Sequence, residues 1–198
     1  MQFKSWQESR RYFLTTFVAG VYGHATGASA LISTAHASET ARTSMQLTHL
    51  IDALRLIGKP VCLSAAERLL SVSTPGTGIH LHLRRARLNE SDAKILSEGI
   101  RRASVDEQLL LRSFSASFNP ELADKGVIAL ANVFPESMSE LGLVNCSIGD
   151  SGGRAILEWA ESATNLSMLC VEGNRFSSNM QLQFKNLAIQ RRQILVVV

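Results

Sequence analysis

Cysteine is scarce in this chain: Cys62, Cys146 and Cys170 are the only thiols among 198 residues. So small and odd a set cannot build a disulfide framework, and it fits a reducing compartment. Proline stands at 4, glycine at 13 and aromatics at 6%, which excludes collagen-like and proline-rich low-complexity architectures. No apolar run reaches the ~18 residues of a membrane-spanning helix. Apolar residues nevertheless make up 45% and charged residues 19%. That balance belongs to a folded chain, and the length suits one domain with a sizeable core, or one domain plus a leader.

A strong charge of one sign is also missing. The formal charge is +3, and the excess lies in residues 1–77, with seven Lys and Arg against four acids; residues 78–198 carry thirteen of each. Binding a phosphate backbone needs a dense basic face. Local clusters are small, the largest being Arg84, Arg85 and Arg87, with pairs such as Arg101-Arg102 besides, so no nucleic-acid partner is expected.

What the chain does contain is an internal repeat. The clearest unit runs Met138-x-x-Leu141-x-Leu143-x-x-Cys146-x-Ile148 and returns as Leu166-x-x-Leu169-x-Val171-x-x-Asn174-x-Phe176. Upstream lies Leu111-x-x-Phe114-x-Ala116-x-x-Asn119, followed after one extra residue by Leu122. A weaker copy opens at Gly78 with Leu81-x-Leu83-x-x-Ala86-x-Leu88. The tail Ile194–Val198 aligns as one more strand, with Leu195-x-Val197 set against Leu169-x-Val171. Between these alternating runs, apolar residues at helical spacing predict helices over 92–103, 125–134 and 152–163. Asp124 and Asp150, ahead of Gly-led helices, suit positive helix N-termini.

This spacing resembles the leucine-rich repeats of the ribonuclease-inhibitor type over residues 78–198, in about four to five units. The resemblance implies an α/β leucine-rich-repeat solenoid: a short right-handed β-α horseshoe arc whose parallel sheet lines the concave face. It further implies that Asn119, Cys146 and Asn174 turn inward as a ladder bonding adjacent turns. The first unit departs from the pattern at Ala86 and Gly78, and reads as a degenerate opening repeat. Before it, Leu47, Leu50, Ile51, Leu54 and Ile57 predict an amphipathic helix ending at Gly58 and Pro60, and a second helix is expected over 64–72. Together, 46–77 would cap the exposed hydrophobic end of the solenoid or form a degenerate first repeat.

Residues 1–45 form a separate N-terminal segment. Ser9-Arg10-Arg11-Tyr12-Phe13-Leu14 looks like a twin-arginine export motif, and Ala28-Ser29-Ala30 and Ala35-His36-Ala37 fit cleavage sites. Thr15 and His24 depart from that pattern. An export signal, another targeting leader and an ordinary extra helix remain alternatives here. A cytoplasmic location is favoured, with export or organelle import through a leader as the alternative.

Catalytic signatures are missing as well. Neither Gly-x-Ser-x-Gly, nor a phosphate-binding Gly-x-x-x-x-Gly-Lys-Ser/Thr, nor Cys-x-x-Cys occurs. Ser151 sits in a Gly-Asp-Ser-Gly-Gly run that looks like a protease serine loop, yet the run falls on the repeat's own turn. His80-x-His82 puts two imidazoles on one side of a strand. A metal site would need a third and a fourth ligand, and Arg84 and Arg85 beside them repel a cation. Cys170 lacks the base and electropositive pocket of a reactive thiol. The expectation is a non-enzyme with no catalytic residue, metal or cofactor.

The repeat instead supplies a surface. Positions between the structural leucines form a strip: His80, His82 and Arg84; Ser113, Ser115 and Ser117; Glu140, Gly142 and Val144; Met168, Cys170 and Glu172; and Ile194, Val196 and Val198. The strip runs from basic, through small hydroxyls, to acidic and then apolar. Such faces bind other proteins, so the expected function is a protein–protein interaction module using this concave strip. The alternative is a structural subunit or adaptor that touches its neighbours through the N-terminal helices or the C-terminal edge strand. The uncharged apolar edge 193–198 also invites pairing with a second copy as a homodimer. An exported effector mimicking host repeats would carry the same signature.

Overall fold

The structure, a computed structural model, describes residues 48–71, 78–105 and 110–198. All of the described residues belong to one compact unit. The leader motif and its cleavage sites lie outside the described residues.

Helix α1 occupies residues 48–57 and buries Leu50, Ile51, Ala53 and Leu54. Gly58 stops it in the left-handed region at φ 70°, where a residue without Cβ is unstrained. Helix α2, Pro60–Ser71, begins at the proline itself, four residues before the sequence expectation. Proline's fixed φ and missing N–H suit the first turn of a helix, so Pro60 starts the second helix rather than separating the two. Cys62, Ala65, Ala66 and Leu69 form its buried stripe.

Five strands follow: β1 (Ile79–His82), β2 (Leu111–Ser115), β3 (Glu140–Gly142), β4 (Met168–Cys170) and β5 (Leu195–Val197). They pair in parallel and in chain order, β1-β2-β3-β4-β5. Helices α3 (Glu90–Val105), α4 (Ala123–Ala131), α5 (Asp150–Ser162) and α6 (Ser178–Gln190) alternate with them. Each is a parallel crossover, and right-handed crossovers in sequence order put their helices on one face of the sheet. The result is an α/β fold with a five-stranded parallel sheet and six helices among the described residues, consistent with a solenoid-like arrangement.

Strand residues Leu81, Phe114, Leu141 and Leu169 meet helix residues Leu96, Leu130, Ile156 and Phe184 in one core. Burying each such side chain is worth ~1.5–3 kcal/mol. Phe114, Phe134 and Trp159 join successive units, with ring centroids 4.9 and 5.5 Å apart. The Trp159 indole N–H donates to the Phe134 carbonyl at 3.2 Å, so its polar edge is satisfied inside the core.

Helix α6 has no counterpart among the helices expected from the sequence. Its inward face is sparse, with Met180, Phe184 and Leu187 buried, although their spacing of four and three is helical. Ser177 caps it, its hydroxyl accepting from the Met180 amide at 3.2 Å. The register of the last strand also differs from the expectation. Met168, Leu169 and Cys170 pair with Leu195, Val196 and Val197, a one-residue shift that exchanges the two faces of β5. Leu195 and Val197, not Ile194, Val196 and Val198, therefore continue the strip.

Adjacent units are stitched through their turns. Asn119 Oδ1 accepts from the Leu88 amide at 2.9 Å, while its Nδ2 donates to the Leu83 and Ala116 carbonyls at 2.9 and 2.7 Å. Asn174 repeats this two units on, accepting from the amides of Cys146 and Ile148 and donating to the carbonyls of Leu143 and Val171. Cys146, between them, offers only its thiol to the Ala116 carbonyl, at 3.2 Å. Carboxylates act sideways too. Asp124 Oδ1 accepts from the amides of Gly149 and Gly152, and Asp150 Oδ1 from that of Ser177. Each acid thus serves the N-terminus of the next unit's helix, not its own. Asp92 is the local exception: it exchanges side chain–amide bonds with Asn89 at 2.8 and 3.0 Å, a capping box at the start of α3. It also ion-pairs with Lys59 at 2.5 Å, and that ammonium donates to the Arg87 carbonyl as well. These bonds tie the segment between α1 and α2 to the first strand–helix unit.

Candidate functional site

On the face of the sheet turned away from the leucine core, backbone pairing aligns the strip in rows. His80, Ser113, Glu140, Met168 and Leu195 form the first, and His82, Ser115, Gly142, Cys170 and Val197 the second. A third row continues past the strand ends through Arg84, Ser117, Val144 and Glu172. The amides of Arg85, Phe118 and Asn145 donate to the carbonyls of Ser117, Val144 and Glu172 at 3.0, 2.7 and 3.0 Å. Backbone pairing thus sets all twelve strip residues from His80 to Glu172 side by side, in the order of the repeat alignment.

The middle of the strip is recessed. Ser113, Ser115 and Ser117 are 1%, 4% and 4% exposed, and Gly142 is buried beside them. A Cβ on Gly142 would lie 3.0 Å from Ser115 Oγ, so a side chain there would crowd the serine. The hydroxyls turn to their neighbours. Ser113 Oγ lies 2.9 Å from His80 Nδ1 and 3.0 Å from His82 Nε2. One hydroxyl can donate to one ring and accept from the other, so the serine fixes both imidazoles. Ser117 Oγ accepts from the Val144 amide at 3.1 Å.

Larger side chains flank this floor. His80 is exposed, while His82, Arg84, Glu140, Val144, Met168, Cys170 and Glu172 are half-buried. Burial, then the neighbouring His80, lowers the pKa of His82 below its ordinary 6.5, so the ring is mostly neutral at pH 7. The Cys170 thiol is pushed up to about 11 by burial and by the carboxylates of Glu172 and Glu140. Cys146 and Cys62 are likewise raised to about 11, chiefly by burial. A thiol so disposed stays protonated near neutrality and is a poor nucleophile. Among the described residues, no three His, Cys, Asp or Glu side chains converge as metal ligands, and no helix is long and apolar enough to cross a membrane.

Two residues outside the expected strip border its basic end. Arg85 and Phe118 follow Arg84 and Ser117 in the turns, and both arginine side chains lie against the Phe118 ring. The Arg84-Arg85 pair was visible in the sequence, but a helix-end or strand-end reading gave no reason to join it to a phenylalanine 33 residues away. No known family model matches the chain, and no curated protein matches it either.

Proposed function

We propose that this chain is a non-catalytic protein-interaction module built from leucine-rich repeats of the ribonuclease-inhibitor type, binding a protein partner through the strip. The observation that carries this reading is the lateral register of the strip across five strands. It presents a graded surface: two imidazoles and Arg84 at β1, a low hydroxyl floor at β2, Glu140 at β3, and Met168 and Leu195 toward the far edge. The side-chain ladder of Asn119, Cys146 and Asn174 supports the repeat assignment, since each residue bonds backbone one unit away. The high pKa of Cys170 and the commitment of the serine hydroxyls to neighbouring groups favour binding over catalysis.

The test places a photo-crosslinking amino acid at Met168 on the strip and, separately, at Arg154 on the exposed side of α5. The proposal expects one protein to be captured from Met168 and not from Arg154, and His80→Glu to weaken that partner's affinity with an unchanged melting temperature. Capture from both positions alike, or only from Arg154, contradicts it. A second reading, a structural subunit or adaptor, is favoured by the exposed Leu195 on β5 and by Leu56, Leu63 and Leu70 on α1 and α2. Under it, a crosslinker at Leu63 captures the neighbour and one at Met168 does not. Homodimerisation through β5 belongs to this second reading, and sedimentation of a Leu195→Glu variant tests it.

A further inference from the structure

The turns after β1 and β2 carry a feature that the strip does not explain. Arg85 and Phe118 occupy the backbone position just before the ladder residue, in the left-handed region at φ 55° and 63°. In the later units the same position holds Asn145 and Gly173, residue types that tolerate this backbone well. A bulky aromatic there is an outlier that the surroundings must hold in place, and such outliers concentrate at functional sites. The side chains so placed converge. The guanidinium carbon of Arg84 lies 4.3 Å from the centroid of the Phe118 ring, and that of Arg85 5.0 Å from it.

One ring therefore gathers two like charges. Among the described residues, the ion pairs involve other cations, and neither guanidinium has a carboxylate within 4.0 Å. Glu140, the acid of the strip's first row, lies two strands from β1, roughly 10 Å at the usual strand spacing. Burial and the repulsion of Arg85 lower the pKa of Arg84, as expected for a cation lacking a counter-charge. A ring face does not replace a carboxylate as hydrogen-bond acceptor, and the planar fork of guanidinium N–H donors suits a carboxylate.

We infer that Arg84, Arg85 and Phe118 form an anion-binding subsite at the basic end of the sheet face, and that it takes a side-chain carboxylate from an acidic protein segment. This rests on the proposed role of that face in protein binding. Charge complementarity selects the occupant. Two uncompensated cations match one or two carboxylates, whereas a phosphate backbone calls for a longer basic track than residues 78–198 provide, with thirteen basic and thirteen acidic residues.

The experiment uses the full chain and fluorescence anisotropy. Its probes are a fluorescein-labelled peptide of alternating glutamate and glycine, its glutamine counterpart, a phosphoserine counterpart and inorganic phosphate. The glutamate peptide should bind about tenfold more tightly than the glutamine peptide, and Arg84→Gln/Arg85→Gln should remove about that factor. Arg101→Gln/Arg102→Gln, altering a basic pair on α3, should change nothing, and a melting curve checks that each variant folds. Phe118→Leu should weaken the glutamate peptide severalfold, because the ring that collects the arginines is gone. Equal binding of the two peptides, or of wild type and the Arg84/Arg85 variant, overturns the inference. So does phosphoserine or inorganic phosphate binding about tenfold more tightly than glutamate. A partner that crosslinks from Met168 yet binds the Arg84/Arg85 variant unchanged defeats the subsite and leaves the strip standing. Arginine-dependent binding of the glutamate peptide with no crosslink from Met168 does the reverse.

Discussion

The turns after β1 and β2 differ from those after β3 and β4, although all of them bend the chain at equivalent positions. The later turns use Asn145 and Gly173 at the left-handed position, and a Cβ on Gly173 would lie 2.3 Å from Asn145 Oδ1. At that position both residue types tolerate the backbone, although Ser147 in the turn after β3 is left-handed too, at φ 56°. The earlier turns place Arg85 and Phe118 there instead, at ~1–2 kcal/mol each for the left-handed conformation. The ladder residues show the opposite gradient. Asn119, in the second turn, is fully buried and bonds the preceding turn on both sides, whereas Cys146 has one thiol to offer and leaves its turn to be bridged by Asn174. Asn119 is the more deeply buried of the two asparagines, and the thinnest stitch is the single thiol contact of Cys146 between β2 and β3. The left-handed Phe118 thus sits beside a fully buried, fully bonded asparagine, as expected if neighbouring interactions must hold an unfavourable backbone in place.

That contrast can be broken by mutation. Asn119→Ala should have the largest effect, about 3 kcal/mol or more, since it orphans the Leu88 amide and the Leu83 and Ala116 carbonyls in the core. Asn174→Ala, at a half-buried site, should cost about 2 kcal/mol, and urea denaturation compares the two. Equal losses would remove the gradient. Gly173→Ala follows at about 1–2 kcal/mol from backbone conformation and crowding. Arg85→Gly at the matching position should go the other way. It gains about 0.5 kcal/mol once the entropy of glycine in the unfolded chain offsets part of the relieved strain, while weakening anion binding. Asp124→Ala should cost about 1 kcal/mol, the usual worth of a helix cap. Hydrogen exchange should locate the loss at the start of α5 rather than α4, because the carboxylate serves the Gly149 and Gly152 amides.

The smallest effect is pH-dependent. The pKa of His82 is lowered in the folded state, so over the range from 6.5 down to that lowered value the unfolded chain binds more protons. Its contribution to stability is complete above pH 6.5 and declines as pH falls through that window. Chemical denaturation at a series of pH values should show this decline in wild type and a shallower one in His82→Gln.

Much of the repeat was legible from the sequence because leucine spacing reports directly on which strand face is buried. Leu81, Phe114, Leu141 and Leu169 stand in one row as their spacing implied. Legibility ended where the pattern thinned. The tail is apolar at every position from Ile194 to Val198, so alternation could not choose between two registers, and pairing to β4 decided it. Helix α6 was obscured because only three of its thirteen residues are buried. The strip residues could be named in order, but their depth could not. That Ser113 is sealed between two imidazoles while His80 is exposed depends on neighbouring side-chain sizes across strands. Phe118 escaped notice because its relation to Arg84 and Arg85 exists only once two turns are stacked.

The most direct test of the account is the affinity of the partner crosslinked from Met168 for a His80→Glu/Met168→Glu variant, set against an Arg154→Glu variant on α5. Isothermal titration with the purified partner should show about a tenfold or greater loss for the strip variant and none for the helix variant, with all three proteins melting at the same temperature. Unchanged affinity in the folded strip variant would contradict the claim that this face of the sheet is the binding surface.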